Sequence, residues 1–236
     1  MKNKISCFLA LIILALSCSD ASSDENIQLV KNGASEYRIM VGNGASPTEV
    51  FAAQELQGYV VQASGAFLPM ANPNEPLTGK LIFVGINAIA RLGLDVDEKY
   101  LGEDGFVIKT IDRRIIIAGK SSRGTLYGVY TFLESIGCRW LAPGINGEVI
   151  PMIRNIAIPP TTRTEKPSFD YRGFTCLFPN TYKNSEWLDW MTKNKLNCVM
   201  INSEAYDEFD RALGEEAIVR GIYVGVRFDV TESAEN

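Results

Sequence analysis

A strand, a short polar loop and an amphipathic helix follow one another between residues 115 and 136, and this order constrains the fold most. Residues 115–119 read Ile-Ile-Ile-Ala-Gly, an apolar run typical of a buried strand. After the loop, Leu126, Val129, Leu133 and Ile136 recur at helical spacing, and Gly137 ends the pattern. An amphipathic helix that follows a buried strand so closely must bury its apolar stripe against the sheet. The sequence therefore predicts an α/β fold.

The residues before this segment add further elements of the same kind. Residues 37–41 and 80–85 indicate short strands, and residues 105–109 and 115–118 form a predicted hairpin with a polar turn at 112–114. Between the first two strands, Ser46 is a predicted N-cap, with Pro47 at the first helical position and Glu49 completing a capping box. Gly65 stands where a left-handed C-cap is needed.

Composition excludes several classes of function. The 236 residues carry a net charge of -5 and contain no histidine. Nucleic acid is not an expected partner, because phosphate binding requires clustered Lys and Arg. Nucleophile activation by histidine within this chain is excluded. Zinc and related metals lose their commonest ligand, so we expect no metal site and no cofactor.

The amino terminus has the pattern of an export signal. Lys2 and Lys4 precede a short apolar run that ends at Cys18, in a sequence that resembles a bacterial lipoprotein box. We predict a signal peptide over 1–18, lipidation of Cys18 and an acidic tether over 19–26. The expected location is the outer membrane or cell surface of a Gram-negative bacterium. The alternative is an ordinary secretory signal that is cut near Ala21.

A segment rich in proline, residues 143–160, separates two patterns along the chain. We predict one domain over 27–160 and a second over 168–236. In the second, strands near 169–173, 197–202 and 222–226 alternate with helices near 186–193 and 207–220, which is typical of a parallel sheet. A complete (β/α)8 barrel needs roughly 250 residues. We therefore expect an incomplete barrel start, in a truncated product or a fragment.

Three polar residues of the second domain are candidates for binding substrate. Arg172 is predicted to end the first strand, and Asn202 and Glu204 follow the next one. Parallel α/β barrels carry their sites at the carboxyl ends of their strands. These side chains are therefore predicted to contact a substrate, the alternative being polar strand ends that face water.

Other residues with chemical potential have a structural interpretation. Glycoside hydrolysis needs two carboxylates that flank one bond, but the spacing of the available acids identifies no catalytic pair: Asp170, Glu186, Asp189, Glu204 and Asp207. The glycines at 119 and 124 partly mimic a phosphate-binding loop, yet Thr125 stands where that motif requires Lys.

Four further side chains are assigned to packing or to structural hydrogen bonds. Arg123 and Arg139 are predicted to form salt bridges or hydrogen bonds to carbonyl groups, and Trp140 is predicted to be a core anchor. Cys138, Cys176 and Cys198 are interpreted as buried free thiols, although one disulfide with a remaining thiol is an alternative.

The run from Arg123 to Tyr130 also carries a family resemblance, together with residues 105–109, 115–119 and 137–144. On these motifs, residues 27–236 resemble the family called domain of unknown function 4838. That family is related to the N-terminal domain of α-glucuronidases (glycoside hydrolase family 67) and to the second domain of β-hexosaminidases (family 20). The resemblance implies an α/β accessory domain that packs beside a catalytic barrel and performs no chemistry itself.

The resemblance extends weakly into the second domain. Residues 171–173, Tyr-Arg-Gly, are similar to an Arg-Gly at the first barrel strand of hexosaminidase-like enzymes, where the Arg contacts the sugar. The acidic continuation of those enzymes is replaced here by Phe-Thr-Cys-Leu at 174–177. The family's catalytic carboxylates lie on later barrel strands, beyond Asn236. The resemblance therefore implies a member that lacks the catalytic carboxylates, and whether the chain is an enzyme is left open.

Two main hypotheses for function follow. The first is a surface lipoprotein of a glycan-degrading system that carries a glycoside hydrolase accessory domain and a barrel start. The second is a non-catalytic lipoprotein that binds glycans. A nucleotide-binding module is a third alternative, based on the glycine loop alone. The expected partners of the first two are an oligosaccharide and a membrane.

Overall fold

A computed structural model describes residues 26–96, 98–175 and 184–228. The predicted signal peptide, the lipidation site at Cys18, nearly all of the predicted tether and Cys176 lie outside these residues. Within the described part of the chain, no helix is long and apolar enough to cross a membrane.

The first half of the chain is built around a mixed five-stranded sheet. The first three strands in spatial order run parallel, and the last two are antiparallel to their neighbours. In spatial order the strands are β2 (Arg38–Val41), β3 (Leu81–Val84), β5 (Arg114–Gly119), β4 (Phe106–Ile111) and β9 (Thr162–Glu165).

Helices cover both faces of this sheet. On one face, α1 (Pro47–Ser64) and α4 (Ser122–Ser135) pack against each other and enclose the larger apolar core. The opposite face is covered by α2 (Ile86–Ala90), beside which α3 (Glu98–Leu101) contributes the buried Leu101. The mixed α/β architecture predicted from the sequence is confirmed.

Two pairs of short antiparallel strands complete this half. The strand β1 (Ile27–Val30) pairs with β8 (Ile156–Ile158), and β6 (Arg139–Trp140) pairs with β7 (Glu148–Val149). The first pair joins the beginning of the described chain to residues about 130 positions later. The buried apolar side chains of both strands belong to the larger core.

The caps and turns of this half follow local sequence rules. Ser46 and Glu49 form the predicted capping box at the start of α1, and Gly65 ends that helix at φ 79°. Ser121 caps α4 through its side chain. In the β4–β5 hairpin, Asp112 and Arg113 both have positive φ, as a two-residue turn of the mirror-image type requires.

The second half contains a parallel three-stranded sheet in the order β10 (Gly173–Thr175), β11 (Cys198–Asn202) and β12 (Tyr223–Arg227). The connecting helices α5 (Ser185–Lys193) and α6 (Tyr206–Val219) cover one face. Val199 and Ile201 of β11 point to these helices and form a third apolar core with them. The predicted alternation of strand and helix is therefore confirmed for these elements.

Two strands differ from the sequence expectation. The strand predicted near 169–173 begins only at Gly173, so Arg172 precedes the strand and does not end it. A Cβ atom at Gly173 would lie 1.7 Å from the carbonyl oxygen of Cys198, which explains why the close pairing of β10 with β11 starts at this glycine. The strand β9 was not predicted, because its Thr-Arg-Thr-Glu sequence has no apolar alternation.

Candidate functional site

The carboxyl edge of the three-stranded sheet carries two of the predicted substrate-binding residues. Asn202 ends β11 and lies level with Arg227 of β12. Its Oδ1 atom is buried and has no hydrogen-bond partner among the described residues. Glu204 lies in the short turn after β11 and is exposed. Together these positions form a polar edge of the kind that carries sites in parallel α/β sheets.

Arg172 lies at the opposite edge of the same sheet. It precedes β10, and its backbone N–H donates to Oδ1 of Asn197, the residue before β11. The sequence expectation that Arg172, Asn202 and Glu204 share one edge is therefore wrong. The reason is the late start of β10, which moves Arg172 from the carboxyl end of a strand to its amino end.

The guanidinium of Arg172 is held inside a buried polar cluster. Its Nη2 donates to Oδ2 of Asp104 at 2.7 Å, and its Nε donates to the carbonyl of Lys195 at 2.9 Å. A third bond, from Nη1, reaches the carbonyl of Phe169. The side chain is 17% exposed. Most of its donor capacity is therefore directed at the protein itself.

Asp104 is the centre of this group. Its Oδ1 accepts from Nε of Arg123 at 2.7 Å, and its Oδ2 accepts from Arg172 and from Nδ2 of Asn197, also at 2.7 Å. We call Asp104, Arg123, Arg172 and Asn197 the Asp104 cluster. Because Asp104 and Arg123 belong to the half with the five-stranded sheet, whereas Arg172 and Asn197 belong to the other, the cluster joins the two halves.

The position of Arg123 confirms its structural interpretation as a salt-bridge residue. Besides pairing with Asp104, its Nη1 donates to the carbonyl of Gly221, and its guanidinium lies 4.3 Å from the ring centre of Tyr223. The importance of Asp104 was missed, because no local motif marks it. The signal that could have indicated it was the predicted salt bridge of Arg123, which needed an acidic partner.

A second buried ionic group joins the halves at another place. The ammonium group of Lys193 donates to Oε1 of Glu148 at 2.7 Å and also pairs with Asp189, while Tyr59 donates to the same Glu148 oxygen. We call Lys193, Glu148, Asp189 and Tyr59 the Lys193 cluster. Carboxylate partners raise the pKa of Lys193 above its ordinary value even though burial opposes this. The lysine therefore stays charged, and its charge is compensated locally.

Between α1 and α4, Glu55 accepts a hydrogen bond from the hydroxyl of Tyr130 at 2.8 Å. Burial raises the pKa of Glu55, while the charge of Lys193 and the bond from Tyr130 oppose the rise. A raised carboxyl pKa is characteristic of a general acid. The surroundings are nevertheless those of a helix interface, since Tyr130 and the nearby Trp140 are both buried in the larger core.

The other acids considered for hydrolysis do not converge on an ionic or hydrogen-bonded group. Asp189 is held by Lys193 and Arg220. The remaining four are exposed: Asp170, Glu186, Glu204 and Asp207. No group of three Cys, Asp or Glu side chains in the described ranges is arranged to hold a metal ion.

The glycine loop before α4 is closed by the protein's own side chains. The hydroxyl of Thr125 accepts from the backbone N–H of Gly119, and Ser121 accepts from that of Gly124. A Cβ atom at Gly119 would lie 2.3 Å from the backbone nitrogen of Thr125. These glycines therefore serve a close approach of strand and helix, as their structural interpretation states.

The structure describes four further side chains whose roles were predicted from the sequence: Arg139, Trp140, Cys138 and Cys198. Arg139 donates to the carbonyl groups of Glu134 and Cys138, and Trp140 is buried with its ring edge-to-face with those of Tyr59 and Tyr130. Both structural interpretations are confirmed. Cys138 is a buried free thiol, and burial raises its pKa to about 11. Cys198 is also free but only half-buried.

Comparison with known proteins identifies the region that contains the five-stranded sheet. Residues 24–132 match the family described as "Glycosyl hydrolase family 67 N-terminus". A stretch of 100 residues is 27% identical to a β-hexosaminidase of Porphyromonas gingivalis (strain ATCC BAA-308 / W83), and it covers 42% of this chain and 11% of that protein. Residues 24–132 are thus similar to the N-terminal region of family 67 glycosyl hydrolases.

Solved structures of glycoside hydrolases share the fold over most of the chain. A family GH115 4-O-methyl-α-glucuronidase with specificity for decorated arabinogalactans superimposes with a TM-score of 0.61 at 17% identity, over 86% of this chain and 30% of that one. The chitobiase of Flavobacterium johnsoniae gives a TM-score of 0.57 at 16% identity, over 88% and 33%. The chain therefore spans about a third of the length of these enzymes.

Proposed function

We propose that this chain is the non-catalytic, amino-terminal part of an exported protein of glycoside hydrolase type that degrades glycans. The observation that carries the proposal is the match of residues 24–132 to the family 67 N-terminus. The chain is similar to a β-hexosaminidase, a 4-O-methyl-α-glucuronidase and a chitobiase, which are all named for carbohydrate substrates. The proposed substrate is therefore a glycan. The sugar and linkage are left unspecified.

The three-stranded sheet supports the view that a larger barrel follows. Cys198, Met200 and Asn202 alternate with the residues that face the helices, so they lie on the other face of the sheet. Tyr223 and Arg227 share that face, because they are the Cα partners of Cys198 and Asn202. We call this surface the open face.

Parallel sheets are normally covered on both faces. On the open face, however, Met200 is 38% and Tyr223 is 48% exposed. In a closed (β/α)8 barrel this face would point into the packed interior, where side chains of all eight strands meet. The three strands and two helices are therefore proposed to be the first units of such a barrel.

The described residues supply a frame and not a catalytic pair. A glycosidase of the usual kind needs two carboxyl groups roughly 5 to 10 Å apart across the scissile bond. The buried Asp104 and the half-buried Asp189 are engaged in ion pairs, and the exposed Glu204 at the carboxyl edge belongs to no ionic cluster of the described residues. The proposed role of the chain is therefore to position a barrel and its substrate. Asn202 and Glu204 stay candidates for contacting that substrate.

Two finer assignments belong to the same proposal. The run from residue 123 to 130 supports membership of the family called domain of unknown function 4838. The sequence around Cys18 supports lipidation at that residue and attachment to the outer membrane.

Sequencing the transcript beyond the codon for Asn236 tests the proposed continuation. We expect further strand–helix units, in frame or after a frameshift, with acidic residues at the ends of later strands. A transcript that stops at this codon, with no related reading frame downstream, would overturn the proposal of a longer enzyme.

Metabolic labelling with an alkyne-tagged fatty acid tests the lipid anchor. We expect label in the wild-type protein and none in Cys18→Ser, because acylation requires the thiol. Cys7→Ser is the matched control and is expected to keep the label. Equal labelling of wild type and Cys18→Ser would exclude Cys18 as the anchor.

A further inference from the structure

A cavity of about 460 Å³ lies between the two halves, beside the Asp104 cluster. Its wall is drawn from β4, α4 and β9 on one side and from the residues around β10 and β11 on the other. Its lining includes Asp104, Phe106, Tyr127, Glu165, Lys166 and Arg172. This volume falls in the range of small-molecule sites, roughly 300 to 1,000 Å³.

The cavity has an apolar wall and an entrance that solvent can reach. Phe106, Tyr127, Pro167 and Leu196 supply carbon surface. The hydroxyl of Tyr127 donates to the carbonyl of Leu196, which fixes the ring in place and joins the two sides of the cavity. Thr164 is exposed at the cavity, as are Lys166 and Asn194, so the space is open to solvent.

The charged groups leave an excess of positive charge. Glu165 is paired with Arg163 outside the cavity, and Lys195 is paired with Glu134, so these two lining charges are compensated. Asp104 has a single negative charge but faces two guanidinium groups, those of Arg123 and Arg172.

The exposed Lys166 adds a further positive charge and forms no ion pair with any described residue. Its side chain lies over Gly102, where a Cβ atom would be 3.3 Å from the Cε atom of the lysine. Among the residues that line the cavity, three are positively charged and two are negatively charged, in a chain whose net charge is -5.

We propose that this cavity is a binding site for a small acidic sugar, either free or as the end of a glycan chain. Lys166 and the remaining N–H groups of Arg172 would contact the carboxylate. The C–H face of the sugar ring would pack on Tyr127 and Pro167. The choice of an anion rests on the cavity alone, whereas the choice of a sugar rests on the proposed function.

Calorimetric titration of the purified protein with three probes tests the ligand class. D-glucuronate carries both ring and carboxylate, D-glucose carries the ring alone, and acetate carries the carboxylate alone. We expect D-glucuronate to bind at one site with a Kd on the order of 1 mM, and the other two probes to bind at least tenfold more weakly. No binding of D-glucuronate, or equal binding of D-glucose, would overturn the proposal.

Variants at lining residues test the location. Glu165 is the Cα partner of Phe106, so its side chain lies on the face of the sheet that borders the cavity. Glu165→Trp places an indole there and is expected to abolish binding, whereas Thr162→Trp, on the opposite face of the same strand, is expected to leave it unchanged. Lys166→Gln is expected to weaken binding about fivefold, and Lys109→Gln, another exposed lysine, is the control. Thermal unfolding of each variant establishes that it is folded.

Full binding by Glu165→Trp would show that the ligand lies elsewhere and would overturn the assignment. The outcome is independent of the transcript experiment: a continued reading frame without D-glucuronate binding would contradict only the cavity proposal. The reverse result would contradict only the proposed longer enzyme.

Discussion

At the level of single residues, Asp104 accepts hydrogen bonds from three side chains, and these contacts determine how the halves meet. Its carboxylate is 3% exposed and accepts from two arginines and one asparagine. A buried charge is tolerated only when its hydrogen-bonding capacity is satisfied, and here three charge-assisted or amide donors satisfy it. Removing the acid would leave Arg123 and Arg172 without their common counter-charge.

We therefore expect Asp104→Asn to lower the free energy of unfolding by about 3 kcal/mol, because breaking a buried ion pair leaves uncompensated charge. The asparagine amide would also face the donor groups of Asn197. Urea unfolding measures the loss. Glu103→Gln is the matched control, since Glu103 is 68% exposed and pairs only at the surface with Lys120; its effect is expected to stay within about 0.5 kcal/mol. Equal losses would contradict the role given to Asp104.

The half-buried Glu55 makes stability depend on pH. Because burial raises its pKa above the ordinary value of 4.5, the folded chain binds this proton more tightly than the unfolded chain does. Its contribution to stability is therefore present in full below pH 4.5 and decreases as the pH rises through the folded-state pKa.

Glu55→Gln is accordingly expected to be more stable than wild type at pH 7, by no more than about 1 kcal/mol. The difference should disappear near pH 4. Thermal unfolding across this range measures it. Glu36→Gln serves as a contrast, since the hydrogen bond and charge of Lys80 lower the pKa of Glu36 and the sign of the effect is reversed. A variant at position 55 that is less stable than wild type at pH 7 would contradict the account.

At the level of elements, the start of α4 depends on close packing against its neighbours. A Cβ atom at Gly124 would lie 2.6 Å from the carbonyl oxygen of Gly105, a backbone atom that cannot move without disturbing β4. Gly58, in the middle of α1, has no atom within 4 Å of the corresponding position. The two glycines lie in similar helices but in opposite surroundings.

We expect Gly124→Ala to destabilise the protein by about 1 to 3 kcal/mol through this overlap. The matched variant Gly58→Ala is expected to stabilise it by about 0.5 to 1 kcal/mol, because alanine restricts the unfolded chain and favours helix. Chemical denaturation of both proteins gives the comparison. A stabilising Gly124→Ala would show that α4 can move away from Gly105 at little cost.

The elements that the sequence predicted well are those with local signals. The start of α1 follows from Ser46, Pro47 and Glu49, whose interactions span only three residues, and its end follows from Gly65. The strand β9 carries no such signal, because it is a polar edge strand that is stabilised by pairing with β4, more than 50 residues away. Local pattern cannot reveal a strand whose only partner is distant.

The candidate site was predicted less completely for the same physical reason. The role of Asp104 depends on partners 19 and 68 residues away, which no spacing in the sequence indicates. The position of Arg172 was assigned wrongly because Phe169 and Tyr171 look like strand residues, yet both are more than 70% exposed before the strand begins. Asn202 and Glu204, by contrast, were placed correctly after β11 because that strand is marked by its own apolar residues.

At the level of the whole molecule, a mixed sheet is joined by two ionic clusters to a parallel sheet that the described residues cover on one face only. The Asp104 cluster and the Lys193 cluster fix the second sheet against the first, so the first half acts as a support. The open face and the similarity to enzymes about three times as long agree with a frame that orients a catalytic barrel.

The most direct measurement is the rate at which the purified chain releases p-nitrophenol from its β-N-acetylglucosaminide and α-glucuronide derivatives. We predict no release above the rate of the buffer blank, because the described residues provide no opposed pair of carboxylates. Turnover on the order of 1 per second or faster, abolished by Glu204→Gln, would contradict the central claim and would place an active site within this chain.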